Sequence, residues 1–296
     1  MKVLVTGISG HIGGAIATHL INLGWDIVGL DRIPCRIKGV TKHLKADIGS
    51  LSFLKSTVSK IAPCAGIVHA AATLETGLYT PSVSATNCLG TQQLLKLAEE
   101  WQVQRFIFLS SIPVIGRPRQ QPITEEHPVD PQTAYHASKL FGEHLIRIAN
   151  RRKEIGAILR LSSPIGPKMP ANRILSVFIK QALSQAPIKI IGQGTRQQNY
   201  VDVRDIAQAV ELCLKQQVSG LFNIAGGKNI SNLELAKTCI RVLNSSSPVQ
   251  FSGQPDPEEG VIWNISIEKA VRQFGYQPQY NIENTIQSLA LKTEIK

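Results

Sequence analysis

Short apolar runs rich in β-branched residues alternate with longer stretches of helical period from the first residue onward. "KVLVTG" reads as a strand, "IGGAIATHLINLG" as a helix with Gly24 where its C-terminal cap belongs, and "DIVGLD" as a second strand. This is a βαβ unit, and the alternation continues through "AGIVHAA", "TQQLLKLAEEW", "RFIFLSS", "YHASKLFGEHLIRIANRR" and "GAILRLS". Strands separated by helices in this way predict an α/β fold, a parallel sheet covered by helices on both faces, over residues 1–162. Beyond residue 162 the texture changes to proline-rich loops and shorter elements. A smaller, interleaved region is expected over 163–195 and 217–296, with roughly 196–216, including the helical "VRDIAQAVELCLK", packing back on the first domain. "GLFNIAG" reads as a further strand, and Ser231 with Glu234 has the spacing of a capping box opening "NLELAKTCIRVL".

The 296 residues are 43% hydrophobic and 18% charged, enough to bury one large core or two modest ones. No apolar run approaches the roughly 18 residues of a membrane span, and "MKVLVTGISG" passes from a strand straight into glycines, so a signal peptide is not expected. Five cysteines (Cys35, Cys64, Cys88, Cys213, Cys239) are odd in number, widely spaced and without a C-x-x-C pair. That argues against a disulfide framework or a zinc site and for a reducing cytoplasm. A net charge of +11 favours anionic ligands and is compatible with nucleic acid or acidic lipid surfaces. The densest basic stretches, "DRIPCRIKGVTKHLK" and "NRRKE", read first as solvated surface.

"TGISGHIGG" lies between the first strand and the first helix and spaces Gly7, Gly10 and Gly13 by three. Glycines there permit a sharp turn, close approach of a pyrophosphate and tight packing of helix on strand. The helix N-terminus, His11 and Ile12 included, presents N–H groups to phosphate. The spacing differs from G-x-G-x-x-G, but its place at a strand-to-helix junction marks a dinucleotide site. Asp31 closes the second strand, where a carboxylate accepts hydrogen bonds from adenosine ribose hydroxyls; this favours NAD over NADP, and Arg32 beside it leaves NADP open. Asp47 and Ile48 are placed to flank the adenine, and the small residues Ala70, Ala71 and Ala72 follow the fourth strand.

Tyr135 and Lys139 are one helical turn apart and share a face. A phenol of pKa about 10 is a poor base at neutral pH. A neighbouring ammonium is expected to lower it, so that Tyr135 takes a proton from an alcohol as hydride leaves the same carbon. The spacing alone is weak; behind a glycine-rich loop and a strand ending in Ser110 and Ser111 it gains force.

These motifs, with "ADI", "TNCLGTQQLL", "FLSSIPVIG", "LRLSSPIGP", "GQGTRQQNYVDVRDIAQA" and "GLFNIAGGKNIS", resemble the extended short-chain dehydrogenase/reductases, in particular the NAD-dependent epimerase/dehydratase family, nearly end to end. The resemblance implies a Rossmann-type doubly wound sheet with a smaller substrate-binding region and a bound NAD. Aligned on Gly116, it places the family's catalytic serine or threonine on Ser111, beside Tyr135; Lys139 holds the nicotinamide ribose, and Asn87 supports a water relay. Ser110 is then structural. It also implies a sugar or nucleotide-sugar substrate and a homodimer built on helices near 85–101 and 135–151, through Leu94, Leu97, Phe141 and Leu145 if these do not face the sheet.

Several positions depart from that pattern. The acidic pair with which the family's 4,6-dehydratases eliminate water is Ile112 and Pro113 here, which disfavours dehydration. Ile115 replaces a tyrosine, and "LRLSSPIGP" lacks the usual asparagine and tyrosine, leaving Ser163 as the polar candidate for substrate contact. The arginine that grips a nucleotide-sugar diphosphate falls on Gln198, with Arg196 as its candidate substitute. Arg160, Lys168, Arg173 and Arg204 read as surface or packing cations. No histidine pair has metal-ligand spacing, and no G-x-S-x-G elbow supports a hydrolase. Three functions remain: an NAD-dependent sugar epimerase, an NAD(P)-dependent reductase or dehydrogenase of a sugar or small carbonyl compound, and a non-catalytic nucleotide sensor or nucleic-acid binder suggested by the charge.

Overall fold

The computed structural model describes residues 1–50, 52, 61 and 63–293. Strands β1 (Lys2–Thr6), β2 (Asp26–Asp31), β3 (Lys42–Lys45), β4 (Gly66–His69), β5 (Arg105–Ser111) and β6 (Gly156–Leu161) lead into β7 (Ser163–Ile165), β8 (Ile188–Ile190), β9 (Gln197–Asp202), β10 (Gly220–Ile224), β11 (Asn229–Ser231) and β12 (Val249–Phe251). The principal helices are α1 (His11–Asn22), α2 (Gly90–Glu100), α3 (Ala134–Asn150), α4 (Ile174–Leu183), α5 (Val203–Gln216), α6 (Asn232–Val242), α7 (Glu268–Phe274) and α8 (Ile282–Thr293). Seven strands form one sheet in the order β10-β6-β5-β4-β1-β2-β3. Every neighbouring pair in it is parallel. This is the Rossmann arrangement expected from the alternating pattern, extended by one strand.

The period of two along each strand divides the core. Val3 and Val5 face one side with Ile16, Leu20, Ile206 and Val210 of α1 and α5. Leu4 faces the other with Leu94, Leu97, Phe106, Phe108 and Ile146. Leu94 and Leu97 therefore belong to the sheet core, while Phe141 and Ile148 on α3 are exposed. The smaller region has its own core, in which α4, α6 and α8 contribute Leu175, Phe178, Leu235, Cys239 and Ile286 around Ile188 and Ile190.

The expected boundary shifts in two places. From 196–216 α5 packs on the large sheet, whereas β9 pairs within a small sheet of order β11-β9-β7 and adds only Val201 to the large core. Conversely, β10 lies within the stretch assigned to the smaller region yet pairs with β6 at the edge of the large sheet. The reason is apolar: Phe222 of β10 meets Phe274 edge-on at 5.1 Å, and Ala270, Phe274 and Tyr276 enter the core beneath α5. The capping box forms as read, with Ser231 and Glu234 bonded reciprocally. Gly24 takes the left-handed conformation at φ +78° just beyond α1.

Helix α3 lies unusually close to β5. A Cβ added at Gly142 would stand 2.3 Å from Cζ of the Phe108 ring, which is itself locked in the core. Gly142→Ala is expected to push α3 outward at a cost of about 1–3 kcal/mol, read as a fall of several degrees in a thermal melt; an unchanged melting temperature would show that this contact is not tight.

Candidate active site

The chain runs outward from β1 to β2 and β3, then returns to place β4 on the other side of β1. The crevice beyond the carboxyl ends of β1 and β4 is the topological switch point, where doubly wound sheets bind ligands. Gly7 follows β1 there at φ +67°, and a Cβ on it would stand 2.7 Å from Ala71 N. Gly13, at the first turn of α1, would put a Cβ 2.2 Å from Gly7 O, so the third glycine serves helix-on-strand packing. A cleft of about 200 Å³ gathers Gly7, Gly10, Asp31, Arg32, Asp47, Ile48, Ala70, Ala71 and Ala72, with Leu30, Ile33, Ala46 and Thr86 added from the same walls. The last four were not anticipated, although strand-end position alone was a usable signal for Leu30.

The Asp31 carboxylate stands at this cleft, accepting from Ser9 N at 2.9 Å and Ile33 N at 3.2 Å. Asp47 turns back on Gly49 N at 2.8 Å. His11, Ile12 and Gly13 form the start of α1 rather than the cleft lining. His11 Nδ1 donates to Pro167 O at 2.7 Å, tying the glycine loop to the substrate side, and burial holds its pKa below the usual histidine value.

Ser111 ends β5, and Thr133 caps α3 by accepting from His136 N, which sets Tyr135 and Lys139 in the first turns of the helix. Lys139 Nζ donates to Leu109 O at 2.9 Å, two residues before Ser111, and lies 5.8 Å from the Tyr135 ring centre. All three are thus brought to one end of β5. The Ser111 and Tyr135 hydroxyls make no hydrogen bond to any described residue and are available to a ligand. The electrostatics differ from expectation: burial pushes the Tyr135 phenol up to about 12, with Arg173 opposing, and pulls Lys139 down to about 8. For Tyr135, desolvation outweighs the opposing Arg173 charge.

Asn87 lies in a π-helical turn, Ser84–Leu89, that precedes α2. Its Nδ2 donates to Thr73 O and Ser138 Oγ at 3.0 and 2.9 Å, and its Oδ1 accepts from Thr73 N at 2.8 Å. Both of its donor hydrogens are spent on protein, and the side chain braces α3 through Ser138. Behind it runs a buried chain of hydrogen bonds centred on His69. Ala71 N donates to Thr6 Oγ1, which donates to His69 Nδ1; His69 Nε2 donates to Thr91 Oγ1, which donates to Asn87 O. Each hydrogen is used once, which fixes the Nε2–H tautomer. Burial and the Lys139 charge keep His69 neutral, well below its usual range.

On the substrate side, Ser163 begins β7 and pairs with Tyr200 of β9. Arg196 forms an ion pair with Glu258, and its Nε and Nη2 donate to the Gln198 carboxamide oxygen at 2.9 and 2.6 Å. These two expected substrate ligands are therefore bonded to each other. Among the described residues no group of histidine, cysteine or acidic side chains is arranged to hold a metal, and no helix is long and apolar enough to cross a membrane.

A glycine-walled crevice at the switch point of a parallel sheet is the arrangement of a nucleotide-binding α/β protein. Residues 3–225 match the NAD dependent epimerase/dehydratase family, and the chain belongs to it. A protein of Methanocaldococcus jannaschii provisionally named UDP-glucose 4-epimerase is 30% identical over 96% of this chain and 95% of its own. The dTDP-glucose 4,6-dehydratase of Haemophilus influenzae is 27% identical over 96% and 95%. The fold is shared with UDP-glucuronic acid 4-epimerase of Bacillus cereus, crystallised with UDP-glucuronic acid and NAD, at a TM-score of 0.84 and 24% identity over 99% of this chain and 100% of that one.

The Lys139 shift has a measurable sign. An unperturbed lysine titrates near 10.4, so between about pH 8 and that value the unfolded chain holds a proton the folded chain has released, and stability rises with pH across the window. Below it both states are protonated and burial is a constant penalty. Lys139→Met is expected to be more stable than the parent at pH 7 by about 3 kcal/mol, with the gap closing as pH rises through the window, read by urea unfolding of the ligand-free proteins.

Proposed function

We propose that this protein is an NAD-dependent epimerase acting on a sugar, most simply a nucleotide-linked hexose, by transient oxidation to a ketone and return of the hydride. The observation that carries the reading is the gathering of Ser111, Tyr135 and Lys139 at the end of β5, beside the cleft that begins at Gly7. The residues fit the cofactor: a Cβ on Gly7 or Gly13 would fill the cradle, and Asp31 offers a carboxylate at the cleft wall. Gly7, Gly10 and the backbone at His11 and Ile12 would hold the pyrophosphate, Asp31 the adenosine ribose, Asp47 and Ile48 the adenine, and Lys139 the nicotinamide ribose. Bound NAD supplies a hydride acceptor and donor.

In this reading the chain's own residues handle the proton. Ser111 orients the substrate hydroxyl by hydrogen bond, and Tyr135 removes its proton and returns it after the sugar ketone has presented its other face. A phenol held near 12 is almost wholly protonated at pH 7; the positive charge of Arg173 favours its ionised form. Net cofactor consumption is zero. Dehydration is disfavoured because Ile112 is 1% exposed in an apolar cluster with Val114, Ile115, Val261 and Trp263, and neither it nor Pro113 transfers protons.

A second reading, an NAD(P)-dependent reductase or dehydrogenase of a sugar or small carbonyl compound, is favoured by one observation. Arg196, the candidate diphosphate grip, is committed to Glu258 and Gln198. Arg32 at the cleft rim would admit NADP in that case. A homodimer through the α2–α3 side is supported by exposed Leu78, Tyr79, Phe141 and Ile148, and a cytoplasmic setting by five cysteines outside any disulfide.

The first test is acid release of cofactor from purified protein, followed by incubation with UDP-glucose, UDP-glucuronate and dTDP-glucose. Epimerisation with retained NAD and a flat nicotinamide absorbance is expected; stoichiometric absorbance change would establish the reductase instead. Tyr135→Phe is expected to lose at least about 100-fold in kcat while still retaining NAD, and full turnover in that variant would remove Tyr135 from the mechanism.

A further inference from the structure

Glu143 and Arg160 form a two-pronged ion pair in the interior. Arg160 Nε and Nη2 donate to Glu143 Oε1 and Oε2 at 2.9 and 2.8 Å, and the residues are 1% and 0% exposed. Ser110 Oγ donates to the same Oε1 at 2.6 Å, and Arg160 Nη1 reaches Glu125 O at 3.4 Å. Neither charge lines the cofactor cleft. Replacing a buried pair by apolar side chains of similar volume is often neutral or stabilising, so stability alone does not account for it.

Its position does. Ser110 is the residue before Ser111 and the register partner of Arg160 across β5 and β6. Glu143 is one helical turn beyond Lys139, as Lys139 is one turn beyond Tyr135. One carboxylate therefore joins the strand that carries Ser111 to the helix that carries Tyr135 and Lys139. It also places a negative charge next to a buried ammonium whose hydrogen-bond partner is a neutral carbonyl, Leu109 O.

We propose that Glu143, oriented by Arg160 and Ser110, is a positioning residue that seats α3 on β5 and keeps the buried Lys139 ammonium charged. The proposal rests on Lys139 acting in catalysis. The groups facing Lys139 are few: Tyr135 and Glu143 from its own helix, the neutral His69 from β4, and the Phe108 ring from β5 at 5.0 Å. Burial drives the lysine toward its neutral form, and Glu143 is the charge that opposes this. With the carboxylate gone, Lys139 releases its proton at lower pH.

Because Glu143→Gln strands the Arg160 charge, the informative variant is the pair Glu143→Leu with Arg160→Met, which removes both charges at similar volume. Its stability is measured against pH with and without Lys139→Met, in the full ligand-free chain. The lower edge of the Lys139 window is expected to fall from near 8 by about 1 pH unit. The alkaline limb of the kcat profile for sugar interconversion is expected to move down with it. An edge and a limb that stay where the parent has them would overturn the proposal and leave the pair a packing feature. The stability measurement needs no substrate, so it separates failure of this proposal from failure of the epimerase reading. If the double variant does not fold, Ser110→Ala decides. It leaves both charges in place and cuts the strand-to-helix link, and is expected to lower kcat about tenfold at unchanged KM; unchanged kcat would overturn the seating role.

Discussion

The Lys139 ammonium reaches the carbonyl of Leu109 at 2.9 Å from a position only 4% exposed, and the active end of the molecule is arranged around the cost of keeping that charge out of water. The helix that carries it must approach β5 closely enough for the bond to form. Gly142 permits the approach against Phe108, Thr133 starts the helix at the right residue, and Asn87 fixes its first turn through Ser138. Remove the close approach and Lys139 loses its acceptor, and Tyr135, one turn earlier on the same helix, moves with it. Packing and chemistry are here the same constraint.

The cofactor end obeys a different economy, in which backbone rather than side chain does the shaping. Gly7, Gly10 and Gly13 bring the β1 turn, the start of α1 and the β4 end within a carbon's width of one another. Asp31 takes two backbone N–H groups of the surrounding loop, so its carboxylate is held in one orientation at the cleft wall. The two ends are joined by the buried hydrogen-bonded chain from Ala71 to Asn87. That chain begins on the cleft wall and ends at the residue that braces α3. A neutral His69 with one defined tautomer suits such a link, because a charged imidazole would leave a donor without an acceptor and repel Lys139.

Much of this was legible in the sequence because it is local. The alternation of period two and period 3.6 gave the parallel sheet, and the glycine spacing gave the cleft. Y-x-x-x-K gave two side chains on one helical face. What escaped notice depends on contacts distant along the chain. No periodicity announces that β10 returns to the large sheet, since that follows from Phe222 finding Phe274 some fifty positions later. The direction of the Tyr135 shift was misjudged for a related reason: charge proximity can be read from a four-residue spacing, whereas desolvation depends on what the rest of the fold lays over the ring. Arg160 looked like one more cation, and only the sheet register brings it to Glu143.

The substrate side follows from the same balance between charge and burial. Where the family's dehydratases carry an acidic pair, this chain has Ile112 and Pro113, which lead into a cluster with Val261 and Trp263. The backbone of that later segment bonds to Gln197 at the start of β9, through Gln197 N to Val261 O at 2.9 Å and Trp263 N to Gln197 O at 3.2 Å. The segment after Ser111 is therefore coupled by packing and backbone bonds to the strand that holds Gln198 and follows Arg196. A carboxylate at Ile112 would have to be desolvated in that cluster without a partner, and the strap across it would loosen. Loss of the acidic pair and the self-satisfied Arg196–Glu258–Gln198 group thus belong to one local design. Apolar packing at Ile112 and ion pairing at Arg196 each leave no buried charge without a partner on this side of the fold, among the described residues.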